Sequence, residues 1–425
     1  MTKKMNVMLK LTKSFTLAMM LCIGMAVPAL AGPVTGTEQD SAKAAVTKAL
    51  KMGESVVTPN VTFTFELTPV SVNDAPATDS NMPKVVDKTV AFSASDTGSA
   101  KDGVKTIFKE TESLFDGITW PHAGVYVYNV SEKQSVAETL SSQESIVFSQ
   151  EKYKITVYVA NGQNGLFVAA IGAEVTVTDG TPGTEAGHKV DAKPGGDPSI
   201  DGDYSKLVFT NTYMKNTGTG DPKDYTLVIS KEVASDSEAS FDFANRKMYF
   251  DFQVTVDKSG ANANGTQKYK AYVMDEDGKV VTGKSNYAGT ILTDPTYGDY
   301  IEFTAGQQAL VHLQHGQWLS FVDLEVDAAY TVTELGKENF TPSCTQKING
   351  KSSVIPGSPN ASLTVPSTKI TEGDDRADFV NTYKTLIPVG ISVDNLPYAV
   401  LIGMGLAALM ILILAKSRRK DNYSA

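Results

Sequence analysis

Lysine, glutamate and asparagine recur in the same order twice along this chain of 425 residues. The pentapeptide Phe209-Thr210-Asn211-Thr212-Tyr213 returns as Phe379-Val380-Asn381-Thr382-Tyr383. Upstream of the first copy lie Lys48, in the strand-like Val46-Thr47-Lys48, and Glu132, which closes Tyr128-Asn129-Val130-Ser131-Glu132. Upstream of the second lie Lys231, in Ile229-Ser230-Lys231, and Glu334, which closes Tyr330-Thr331-Val332-Thr333-Glu334. Consider a Lys on the first strand of a domain and an Asn on the last, both pointing inward across the gap between two sheets. Burial disfavours charge, so Lys and Glu can coexist as a neutral amine and a neutral acid. The amine is then a nucleophile. An Asn carboxamide is a poor electrophile, but a fold that holds nitrogen against carbonyl carbon supplies roughly 7 to 11 kcal/mol as effective molarity. A protonated Glu can hydrogen-bond the amide oxygen, stabilise the tetrahedral intermediate and relay protons to departing ammonia. The expected products are two isopeptide bonds, Lys48 to Asn211 and Lys231 to Asn381, formed autocatalytically with Glu132 and Glu334. Each would close a long loop and constrain the unfolded chain by about 5 kcal/mol.

Taken singly, these residues have ordinary explanations. A Lys on a strand usually faces solvent, a Glu after a strand usually lies at the surface, and Asn before Thr often forms a turn. The ordered set, occurring twice, favours the bond-forming reading.

Period-two alternation dominates the sequence around these residues. Val61-Thr62-Phe63-Thr64-Phe65-Glu66-Leu67, Val125 to Tyr128, Tyr153 to Val159 and Phe250 to Val256 read as half-buried strands. Asp179-Gly180, Asp201-Gly202 and Asp277-Gly278 are turn signals, the last placed as a hairpin between Tyr272-Val273 and Val280-Val281. No glycine-rich phosphate loop opens a helix. The expected fold is all-β, with two tandem sandwiches. The polar stretch Lys215 to Pro222 suits a linker. The expected organisation is therefore 1–31 signal peptide, 32–214 first domain, 215–222 linker, 223–385 second domain, and 386–425 sorting-signal-like segment, transmembrane helix and basic tail.

Lys3, Lys4, Lys10 and Lys13, the apolar Phe15 to Val27, and Ala29-Leu30-Ala31 form the pattern of a secretory signal. At the other end, Leu396 to Ala415 is uncharged and long enough to cross a bilayer, and Lys416, Arg418, Arg419 and Lys420 follow it. The four Lys of the signal and the excess of two basic residues after Gly390 leave the remainder at −16, against −10 for the whole chain. Such an acidic surface argues against nucleic-acid binding. Cys22 lies in the signal, so the exported chain keeps only Cys344 and cannot form an internal disulfide.

At these residues the chain resembles the isopeptide-linkage domains of Gram-positive sortase-assembled backbone pilins, the FctA-like pilins of streptococci. Gly124-Val125-Tyr126-Val127-Tyr128-Asn129-Val130-Ser131-Glu132 is similar to that family's Gly-Val-Tyr-x-Tyr-x-Val-x-Glu strand, and Phe209-Thr210-Asn211 and Phe379-Val380-Asn381 to its Phe-x-Asn strand. The resemblance covers about 46 to 385. It implies two tandem immunoglobulin-like (CnaB-type) β-sandwiches stacked along a fibre, each closed by its Lys–Asn bond, in a structural protein rather than an enzyme. Its implied partners are a sortase, identical pilin subunits, a host surface ligand and, before processing, the membrane through the C-terminal helix; it implies no cofactor. Such pilins carry a Pro-Thr-Gly type sorting signal. Here Pro388-Val389-Gly390 occupies that place, with Val for Thr, and is the candidate sortase cleavage site; Leu396-Pro397-Tyr398 is poorer. The candidate polymerisation lysine is Lys206, with Lys189 and Lys193 as competitors.

No other constellation carries chemistry as well. His312 and His315 lack the nearby Cys or helical acid that would complete a metal set. Asp275-Glu276-Asp277-Gly278 is too short for a calcium loop. Trp120-Pro121-His122 and Trp318 read as core and turn residues. The expected role is a cell-wall or cell-surface pilus backbone subunit; the alternative is a monomeric anchored adhesin or stalk built from the same domains.

Overall fold

Strict alternation forces a chain into strands that bury one face. The computed structural model describes residues 31–180, 185–197, 202–235, 246–384, 401–402, 404–410 and 412, and it is built mainly from such strands. In Val61–Val72 the side chains of Val61, Phe63, Phe65 and Leu67 are buried, while Thr62, Thr64 and Glu66 between them are only partly covered. Phe250–Asp257 repeats the pattern with Phe250, Phe252, Val254 and Val256.

The chain divides into two compact units. One runs up to Asn216 and takes in Ser259–Gly265 and Glu325–Asp327; the other contains the remainder from Thr217. Each contains two sheets, of eight and five strands in the first and of eight and four in the second. Phe63, Phe65, Tyr126, Tyr128, Tyr153 and Phe209 fill the core of the first, and Phe250, Phe252, Tyr269, Phe321, Tyr330 and Phe379 that of the second.

One feature of connectivity recurs in both units. The strand that carries the Lys lies beside the strand that carries the Asn, and the two run parallel: Thr47–Gly53 with Val208–Lys215, and Leu227–Ser235 with Asp375–Tyr383. Every other strand pairing among the described residues is antiparallel. The chain thus closes each domain by bringing its last strand back alongside an early one.

Two local expectations need adjustment. Lys215, assigned to the polar linker from sequence, completes the strand Val208–Lys215. At Asp277-Gly278 the chain does turn, with Gly278 at φ 72°, but Val280 makes only an isolated bridge to Met274 rather than a strand.

Most of residues 1–31, all of Pro388-Val389-Gly390 and half of Leu396–Ala415 lie outside the described residues. Residues 401–402, 404–410 and 412 are helical. Among the described residues no helix is long and apolar enough to cross a membrane.

Candidate functional site: two buried lysine, glutamate and asparagine sets

Strand register decides which side chains can meet, because alternate residues share a face. In the first unit Lys48 pairs with Phe209, so Asn211, two residues on, lies on the same face as Lys48. In the second, Lys231 pairs with Phe379 and Asn381 follows two residues on. The register is identical. Lys and Asn therefore come from one sheet, side by side, and the Glu reaches them from the opposed sheet.

The Glu strands repeat just as closely. Glu132 pairs with Phe65 and Glu334 with Phe252, the second aromatic of each Phe-x-Phe. Those two rings pack at 5.2 Å on Phe209 and Phe379 respectively. The first aromatic of each pair lies against the ammonium group, with Lys48 Nζ 4.7 Å from the centre of Phe63 and Lys231 Nζ 4.3 Å from that of Phe250.

Within these apolar walls the polar atoms converge. Lys48 Nζ is 2.8 Å from Glu132 Oε1, and Asn211 Nδ2 donates to the same oxygen at 2.9 Å. Lys231 Nζ is 2.9 Å from Glu334 Oε1, and Asn381 Nδ2 donates to it at 2.8 Å. Both lysines are 0% exposed. Glu132 Oε2 and Glu334 Oε2 are buried and accept no hydrogen bond among the described residues.

Burial of this depth penalises charge more than the ion pair rewards it. Desolvation pulls Lys48 and Lys231 each down from 10.5 to about 8, with the neighbouring carboxylate opposing the shift. Desolvation likewise pushes Glu132 and Glu334 above the usual carboxylate range, against the pull of their lysines. The arrangement is poised to hold one proton between amine and acid, which is the condition for a neutral nucleophile beside a proton donor.

The sites differ at the carbonyl oxygen of the Asn. Asn211 Oδ1 accepts the backbone N–H of Ser149 at 2.7 Å. Asn381 Oδ1 is buried and has no donor among the described residues. Ser149 carries no side-chain signature of such a contact, since only its main chain is used. The Phe-x-Phe pattern is visible in sequence as a strand, but its place beneath the lysines is not.

The remaining candidates disperse. Lys206 is half-buried, donates to Gly202 O at 3.1 Å and sits 3.9 Å over the Tyr204 ring. Lys189 and Lys193 are exposed. His312 Nδ1 lies 2.6 Å from Asp251, while His315 Nδ1 accepts the Val233 N–H, so the two histidines serve separate partners. No metal-binding group of three or more His, Cys, Asp or Glu occurs among the described residues. Trp120 packs on Tyr126 and Phe115 in the core. Asp275 Oδ1 accepts the N–H groups of Asp277 and Lys279, as a turn residue does.

Residues 44–214, which hold the first Lys, Glu, Asn set, match the family model of the Spy0128-like isopeptide containing domain, FctA. This stretch of the chain is thus an FctA-like domain. Residues 225–383 match a separate model, a domain of unknown function (DUF7601), although their site repeats the register of the first. No curated protein matches the chain. Among solved structures it is similar to the major pilin from Streptococcus pyogenes, at 20% identity over 81% of this chain and 100% of that one, with a TM-score of 0.32. A second Streptococcus pyogenes major pilin, T-13, is 18% identical over 83% of this chain and 99% of its own, with a TM-score of 0.29. A Mobiluncus mulieris adhesin containing disulfide, isopeptide and ester cross-links is 12% identical over 80% of this chain and 99% of its own, at 0.22.

Proposed function

We propose that the protein is a cell-surface pilus backbone subunit whose two domains each close an intramolecular isopeptide bond, Lys48 to Asn211 and Lys231 to Asn381. The observation that carries this reading is the pair of buried triads in identical register. A chain that buries Lys and Glu twice, at the desolvation cost this entails, keeps an arrangement whose chemistry explains it. Neutral Lys attacks the Asn carbonyl carbon, the Glu carries a proton from Nζ to Nδ2, the carbon–Nδ2 bond breaks, and ammonia leaves.

Export by the signal at 1–31, transient retention by Leu396–Ala415 and sortase cleavage at Pro388-Val389-Gly390 complete the proposal. Lys206 of one subunit then accepts the processed end of the next. The intact mass of recombinant residues 32–385 tests the cross-links. It should fall short of the sequence mass by one ammonia per domain, and Glu132→Gln and Glu334→Gln should each restore one. A full sequence mass in folded wild-type protein overturns the cross-link reading. Boiling surface extracts in detergent tests assembly: a high-mass ladder fits a backbone subunit, and one discrete band fits an anchored adhesin or stalk.

A further inference from the structure

An oxyanion needs a donor that is already in place when charge develops, and the first site has one, whereas the second has none among the described residues. We infer that the backbone N–H of Ser149 is the oxyanion donor for cross-linking at Asn211, and that the first domain therefore closes faster than the second. This rests on the cross-link reading above and deepens it.

Three observations carry it. The Ser149 N–H can only donate, so its 2.7 Å contact fixes the Asn211 carbonyl oxygen toward it and turns Nδ2 toward Glu132. Donor and acceptor are both buried, with Ser149 2% and Asn211 0% exposed, so the contact strengthens as negative charge builds. The donor is also held in position. Ser149 Oγ donates to Asp179 Oδ2 at 2.7 Å and accepts the Glu151 N–H at 3.2 Å, which pins the segment before Lys152–Asn161 across the Asn.

The division of labour changes accordingly. As Lys48 Nζ bonds to the Asn211 carbonyl carbon, the charge on Oδ1 falls to the Ser149 N–H rather than to Glu132. Glu132 gives its proton to Nδ2 and takes one from Nζ, so it ends as it began, and the carbon–Nδ2 bond breaks to release ammonia. Ser149 acts on the reacting atom; Asp179 and Glu151 are positioning residues.

The test follows both links in one chain. The protein is made by cell-free synthesis, quenched in acid at intervals, and each cross-linked peptide is quantified by mass spectrometry against its uncross-linked form. In wild type the Lys48–Asn211 link should form before Lys231–Asn381. Ser149→Pro, which deletes the donor, should slow the first link by about a hundredfold and leave the second unchanged. Ser149→Ala, which keeps the N–H but frees it from Asp179 and Glu151, should slow the first link by about tenfold at every pH, a scaling without displacement of the pH profile. Amide exchange of the first domain confirms that each variant is folded; if Ser149→Pro is not, Ser149→Ala decides. Unchanged first-link rates in the folded variants overturn the inference while leaving the cross-links intact. Absence of both links in wild type overturns the underlying reading instead.

Discussion

At the scale of single residues, the informative fact is that Lys48 and Lys231 are fully buried beside carboxyl groups that are also buried. The Lys, Glu and Asn were legible in the sequence because they occur twice in order, whereas Ser149 was not, because any residue except Pro supplies a backbone N–H. The titration of the pair gives a prediction for Asn211→Ala, which removes the electrophile and keeps Lys48 and Glu132. The variant should lose about 5 kcal/mol in urea unfolding, the loop-entropy share of one link. Its pH dependence has a definite sign in each window. Glu132 is held above its ordinary 4.5 in the folded state, so the folded chain binds more protons and stability falls as pH rises above 4.5 toward the raised value. Lys48 is held down at about 8 against 10.5, so the unfolded chain binds more protons there and stability climbs again from pH 8 to 10.5. Unfolding curves across that range should show a minimum between the two windows. A monotonic profile would contradict the assigned burial of the pair.

At the scale of elements, the alternating strands were legible because each buries one face, and Phe63, Phe65, Phe250 and Phe252 point inward as the period demands. The parallel alignment of first and last strands was not legible, since alternation fixes a face but not a neighbour. Sequence alone placed Lys and Asn across a gap between sheets; the structure puts them on adjacent strands and brings the Glu across the gap. That register makes the site sensitive to a change of one residue. Duplicating Thr210 should turn Asn211 to the opposite face and abolish the first link, because side-chain direction in a strand has a period of two. The intact mass should then rise by the added Thr and one ammonia, with the Lys231–Asn381 peptide still cross-linked. Retention of both links would show that the strand's register does not control the reaction.

At the scale of the whole chain, each proposed bond ties a strand near the beginning of a domain to the strand that ends it. Tension entering at Lys48 would leave at Asn211 without passing through the residues between them, and the same holds from Lys231 to Asn381. The bypassed loops contain roughly 150 residues each, and an extended chain spans about 3.3 to 3.6 Å per residue, so each loop stores on the order of 500 Å of length. Hydrogen-bonded strands alone would release that length under load, because parallel strands pulled from opposite ends are separated by breaking their ladder. A covalent Lys–Asn bond removes this route. Single-molecule pulling on residues 32–385 should therefore show no extension step of that size in wild type. Glu132→Gln and Glu334→Gln should each introduce one step on the order of 500 Å, and the double variant two. Steps of that length in wild-type protein would mean that the load runs through the domains, and that the two triads, however closely they match in geometry, do not carry it.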